Sequence, residues 1–153
     1  MTGPSAFASI FKSRCALNAA GLEHDAPEIR KAVAWLTTIQ NPDGGWGEDD
    51  SSYRFDCRGY EAVPSTASQT ARAVLGLMAA GEVNRAAVQS GIDYLLRNQG
   101  ADGFWNEPRY TAAGFRHVFY LSYHGRPKFF PLWALARCRN LRSQNSPTGA
   151  FGM

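Results

Sequence analysis

A glutamine, an Asp-Gly turn and a tryptophan recur at one spacing, as Gln40-Asn-Pro-Asp-Gly-Gly-Trp46-Gly-Glu48 and as Gln99-Gly-Ala-Asp-Gly-Phe-Trp105. Sugar sites stack ligands on indoles beside carboxylates, so ligand stacking is one chemistry this pattern could support. The other reading is structural. Glycines let the chain turn back sharply, and an amide over an indole face can satisfy helix-terminal groups while it braces neighbouring helix ends. Recurrence at equivalent places favours the brace for Gln40, Trp46, Gln99 and Trp105. Phe115, Phe119 and Tyr123, four apart, would share one helical face, and by spacing alone they read as core. His117 and His124 flank that stripe, where a base could remove a proton, but they read as surface or satisfied helix histidines; His24 reads as a linker residue. Cys15, Cys57 and Cys138 are far apart and form no Cys-x-x-Cys pair, so neither a zinc cage nor a disulfide framework is expected. With no phosphate-cradling loop and no serine nucleophile motif either, no catalytic residue, metal ligand or cofactor site is assigned.

The elements that carry these residues come in two copies. Ile29–Glu48 aligns with Val88–Glu107, pairing Val33 with Ile92, Trp35 with Tyr94, Leu36 with Leu95 and Glu48 with Glu107. Upstream, Ala16-Leu-Asn-Ala-Ala-Gly21 echoes Gly76-Leu-Met-Ala-Ala-Gly81, so the repeat is two helices long. Each unit reads as a helix ending at Gly21 or Gly81, a polar link, and a second helix. Asp25 is the expected N-cap and Pro27 the first-turn proline of the helix that carries Val33, Leu36 and Ile39 or Gln40 at helical spacing. Pro64 to Gln69 leads into a helix through Ala71–Met78, and a last helix runs over Pro131–Arg137, giving five in all. Residues 1–13 form a lead segment, 14–141 the helical domain and 142–153 a flexible tail. Phe7, Ile10 and Phe11 make the amino-terminal face apolar where a stacked array wants a polar cap, so another layer of protein is expected there.

Composition excludes several classes. Hydrophobic residues are 44% and charged ones 19%, which fits neither a disordered polymer nor a charged helical rod, and no apolar run approaches the roughly 20 residues of a membrane span. A net charge of +3 is too slight for a nucleic-acid binder. Lys128, Arg137, Arg139 and Arg142 thicken late in the chain; they suit the negative end of a helix dipole, with an anionic-lipid patch as the alternative. The cysteine usage fits a reducing cytosol, and no secretory signal is visible.

Together the two glutamine–tryptophan runs, Pro64-Ser-Thr-Ala-Ser-Gln-Thr70, Gly114-Phe115, Val118-Phe-Tyr-Leu-Ser-Tyr-His-Gly125 and Lys128-Phe-Phe-Pro-Leu-Trp-Ala-Leu-Ala-Arg137 resemble the carboxy-terminal part of squalene–hopene cyclases, the bacterial triterpene cyclases. The likeness runs from about Cys15 to Gly152-Met153. It implies an all-α fold, here a partial α/α barrel of repeated helix pairs, from an enzyme held to one membrane face. It implies cyclisation of squalene by alkene protonation, with a carbocation passed along the closing polyene and no cofactor. Such a cavity needs a strong acid at one end and aromatic faces that stabilise positive charge without trapping it. By resemblance, Phe115 and Phe119 take the places of phenylalanines that stabilise late cations, and Tyr123 joins them in the substrate cavity.

The sequence departs from the family in places. The proton-donating Asp-Xaa-Asp-Asp motif is missing, and Asp49-Asp50 reads as solvated turn. Arg126 stands where the family usually has a cavity tyrosine, and Arg72 where it usually has a tryptophan. The chain alone is therefore expected to be inactive, and to meet a squalene-like polyene only in a completed barrel, with a separately encoded amino-terminal half as a possible partner. Cytoplasmic residence is expected, with weak association at the inner membrane face. The non-enzymatic alternative is a helical-repeat binding module or a truncated gene product.

Overall fold

The computed structural model describes residues 24–48, 60–108, 113–115, 119–120 and 124–144. Among them are four helices, α1 (Pro27–Thr38), α2 (Ala67–Ala79), α3 (Ala86–Arg97) and α4 (Arg126–Arg142), and two short strands, β1 (Ala113–Phe115) and β2 (Phe119–Tyr120). The helix expected to end at Gly21, the lead segment 1–13 and residues 145–153 of the expected tail lie outside the described residues. The fold is helical, as the sequence indicated, with one antiparallel ladder added.

Helix α2 is the centre of the packing. All 13 of its residues are buried, and α4 lies against it most extensively, followed by α3 and then α1. Each neighbour contributes an apolar stripe at helical spacing: Ile29, Val33 and Leu36 from α1; Val88, Ile92 and Leu95 from α3; Ala134 and Cys138 from α4. Closeness is bought by small residues: a Cβ on Gly91 of α3 would stand 2.5 Å from Val74 Cγ2 and 2.9 Å from the Trp46 ring.

Helix ends follow their local chemistry, with two corrections. Ala26, not Asp25, occupies the N-cap of α1, without a side-chain cap bond, while Pro27 takes the first helical position, where its missing N–H costs nothing. Helix α4 begins at Arg126 rather than at Pro131 and runs through that proline, which is buried. Pro131 cannot donate to the carbonyl four residues back, and packing against α2 offsets the lost ladder bond. At the end of α2, Gly81 adopts φ +80°, and the N–H groups of Gly81 and Glu82 bond to Met78 O and Leu77 O at 3.0 and 3.1 Å, the crossed pair of a left-handed helix stop.

Candidate functional site

The two glutamine–tryptophan segments close the same way. Trp46 Nε1 donates to Leu36 O and Trp105 Nε1 to Leu95 O, each at 2.8 Å, so each indole caps a carbonyl in the last turn of the helix before it. Gln40 Nε2 donates to Gly44 O at 2.8 Å and Gln99 Nε2 to Gly103 O at 2.9 Å, pinning turns whose glycines take φ +87° and +82°. Asp43 Oδ1 accepts from Gly45 N and Asp102 Oδ1 from Phe104 N, the Asx turn that the Asp-Gly pair favours. Trp46 is 0% and Trp105 4% exposed, which leaves no open indole face for a ligand to stack on.

The first turn also reaches across the fold. Gln40 Nε2 bonds to Ala87 O at 3.0 Å, Arg97 Nη2 to Asp43 O at 2.8 Å, and Tyr94 Oη to Ser65 O at 2.8 Å. Burial, reinforced by the Asp43 and Glu107 carboxylates, pushes the Tyr94 hydroxyl up to about 12. Burial and then Glu48 raise Tyr60 as well, whose hydroxyl donates to Gly47 O at 3.0 Å. The Cys138 thiol is raised by burial, with the Arg142 charge pulling the other way.

Sequence reasoning missed what Glu107 does. Its carboxylate accepts from Ser68 N at 2.8 Å and from the Ser68 hydroxyl at 2.7 Å, placing an anion at the amino end of α2. Thr66 completes this end, since its hydroxyl accepts from Gln69 N at 3.3 Å. The buried Gln69 amide also holds Glu48, donating to its carbonyl at 3.0 Å and accepting from its N–H at 3.2 Å. The signal was present: Glu48 and Glu107 align in the repeat, and Thr66-Ala-Ser-Gln69 has the spacing of a capping box.

The aromatic stripe requires correction. Phe115 and Phe119 do not lie on one helical face; they occupy β1 and β2 and are register partners across the antiparallel ladder, as are Ala113 and Tyr120. Aromatic-rich runs suit extended backbone, and a spacing of four satisfies a short hairpin as well as a helix. Tyr123 lies outside the described residues, as do His117, Cys15, Cys57, Asp49 and Asp50. His24 and His124 are exposed. Arg72 is buried on α2 with its guanidinium 4.9 Å from the centroid of the Phe130 ring, and Phe130 stacks on Trp133 at 6.2 Å and 27°. Arg126 opens α4. Among the described residues, no group of three or more His, Cys, Asp or Glu side chains is placed to hold a metal ion, and no helix is long and apolar enough to cross a membrane.

A central helix clasped by paired helix–turn–tryptophan units defines a helical-repeat protein of the α/α barrel type. Residues 8–140 match the squalene–hopene cyclase C-terminal domain, and the chain belongs to that family. It is 64% identical over 139 residues to a squalene–hopene cyclase of Bradyrhizobium diazoefficiens, an alignment covering 91% of this chain and 21% of that protein. It is 60% identical over 139 residues to the squalene–hopene cyclase of Zymomonas mobilis, again 91% of this chain and 21% of the other. A dammaradiene synthase of Dryopteris crassirhizoma shares 42% over 125 residues, covering 73% of this chain and 18% of the synthase. The chain thus spans about a fifth of the length of these relatives.

Proposed function

We propose that this chain forms part of the aromatic wall of a chamber that folds and cyclises a squalene-like polyene. An acid outside this sequence protonates a terminal alkene. Each neighbouring π pair then attacks the cation, forming a carbon–carbon bond and moving the positive charge along the chain, until the last cation loses a proton or takes up water. Phe115 and Phe119 stabilise the late cations, and Tyr123 is a further residue of the same substrate cavity. The observation that carries this reading is the 64% identity, across 91% of the chain, to a squalene–hopene cyclase. The product is a hopanoid triterpene, and the site of action is the inner membrane face, reached from the cytoplasm, with weak attachment by this part alone.

The test uses squalene and two preparations. The purified chain alone yields no hopene or diplopterol by gas chromatography and mass spectrometry. Together with the Bradyrhizobium cyclase lacking its matching fifth, it restores product. Continued absence of product from that complex overturns the reading. Replacing Phe115 or Phe119 by alanine in the complex lowers turnover roughly tenfold or more, since a desolvated cation–π contact is worth about 2 kcal/mol.

A second reading has its own observation. Arg72 sets a buried cation against Phe130 in a family that prefers tryptophan at that position, which suits a helical-repeat binding module with no carbocation chemistry. An Arg72→Trp variant that leaves the restored complex no more active than the native chain would favour this module.

A further inference from the structure

The chain that carries Phe115 and Phe119 is tied to the helices on both sides of the β1–β2 ladder. On the amino side, Trp105 Nε1 donates to Leu95 O at 2.8 Å. Two positions on, one oxygen of Glu107 accepts from Ser68 N at 2.8 Å and the other from the Ser68 hydroxyl at 2.7 Å. Glu107 is half-buried between exposed Asn106 and Pro108. With both oxygens engaged by one serine in the first turn of α2, the carboxylate is fixed in orientation as well as in place. Pro108 follows at once. Its ring holds its own φ near roughly −65° and disfavours helical backbone at Glu107, so the direction in which the chain leaves the clasp is restricted as it heads for β1. On the carboxyl side, α4 lies against α2, and Lys128 in its first turn sets its ammonium 4.9 Å from the Phe104 ring centroid. Phe104 and Lys128 thereby bring together the two ends of the segment that holds the ladder.

We propose that Glu107 is a positioning residue for the cation-stabilising pair: its clasp on Ser68 sets where the ladder stands relative to α2, and so how far cyclisation runs before a proton is lost. The consequence for product rests on the cyclase reading; the positioning itself does not. A ring stabilises a cation only within about 6 Å of its centroid, so a displaced ladder leaves the late cation unsupported. A C–H beside that cation then gives its proton to water and its electron pair to the empty orbital, and an alkene with fewer rings is released. What acts on the ladder is the hydrogen-bond geometry of Glu107 rather than its charge. Glu107→Gln keeps an oxygen for Ser68 N and an N–H for the Ser68 hydroxyl, whereas Glu107→Ala keeps neither.

Two measurements separate position from chemistry. In the first, the full chain carries 4-fluorophenylalanine at position 119 and its fluorine resonance is recorded. Glu107→Ala should move that resonance and Glu107→Gln should return it to the native place. Trp46→Phe, which also loses one buried attachment but in the first unit, should leave it unmoved. In the second, the chain is combined with the Bradyrhizobium cyclase lacking its matching fifth and given squalene. The share of incompletely cyclised product should rise roughly tenfold in Glu107→Ala with KM unchanged, return to native in Glu107→Gln, and stay native in Trp46→Phe. Calorimetry checks that each variant is folded at the working temperature; Ser68→Ala, which removes one of the two bonds, serves if Glu107→Ala is not, with a smaller change in the same direction. An unmoved resonance in the clasp variant, equal movement in Trp46→Phe, or a native product ratio from an active clasp variant each overturns the proposal. If the native combination makes no product, the cyclase reading falls and the resonance alone decides whether Glu107 positions the ladder.

Discussion

Each buried indole in this fold serves as a hydrogen-bond donor to a helix end. Trp46→Phe keeps most of the ring and deletes the bond to Leu36 O. It should cost about 1–2 kcal/mol, the usual penalty for an orphaned buried partner, and lower Tm by roughly 3–6 °C in calorimetry. Glu107→Ala removes both acceptors from the start of α2. Bonds to a charged group are worth about 1.5–3 kcal/mol, so the Tm should fall at least as far, and Glu107→Gln should recover part of the loss. Tyr94 gives the pH dependence. Its folded value lies above the ordinary 10.0, so folding favours the protonated phenol; that stabilisation is complete below pH 10 and is lost as pH rises toward 12. Denaturant midpoints should therefore decline more steeply above pH 10 in the native chain than in Tyr94→Phe. At this scale the sequence exposed the glutamines and tryptophans because they recur, whereas the Glu107 clasp had only the alignment of Glu107 with Glu48 to mark it, its serine lying 39 positions away.

Among the elements, α2 sets the tolerance of everything around it. Gly91→Val would drive its side chain into Val74 and Trp46, and overpacking of this kind costs about 1–3 kcal/mol, measurable as a lowered urea midpoint with unchanged slope. The helices were legible through apolar residues at helical spacing, as in Ile29, Val33 and Leu36, and through punctuation by Pro27 and Gly81. Two elements were not. Pro131 looked like a beginning because proline is favoured at helix starts, but the chain already had Pro127 in that role. Phe115 and Phe119 looked helical because a spacing of four cannot by itself tell a helical step from register partners on two antiparallel strands.

At the scale of the molecule, the sequence shows membership of the squalene–hopene cyclase family, in which the aligned part of the chain spans about a fifth of its relatives' length. The two units hold one another in both directions. Gln40, in the first turn, grips the opening of α3 through Ala87 O, and Glu107, beyond the second turn, grips the opening of α2 through Ser68. If the two clasps act as one unit, loosening either should loosen the other. Backbone amides at the starts of α2 and α3 should exchange with deuterium at matched rates, and Gln40→Ala should quicken both in step although it touches only one.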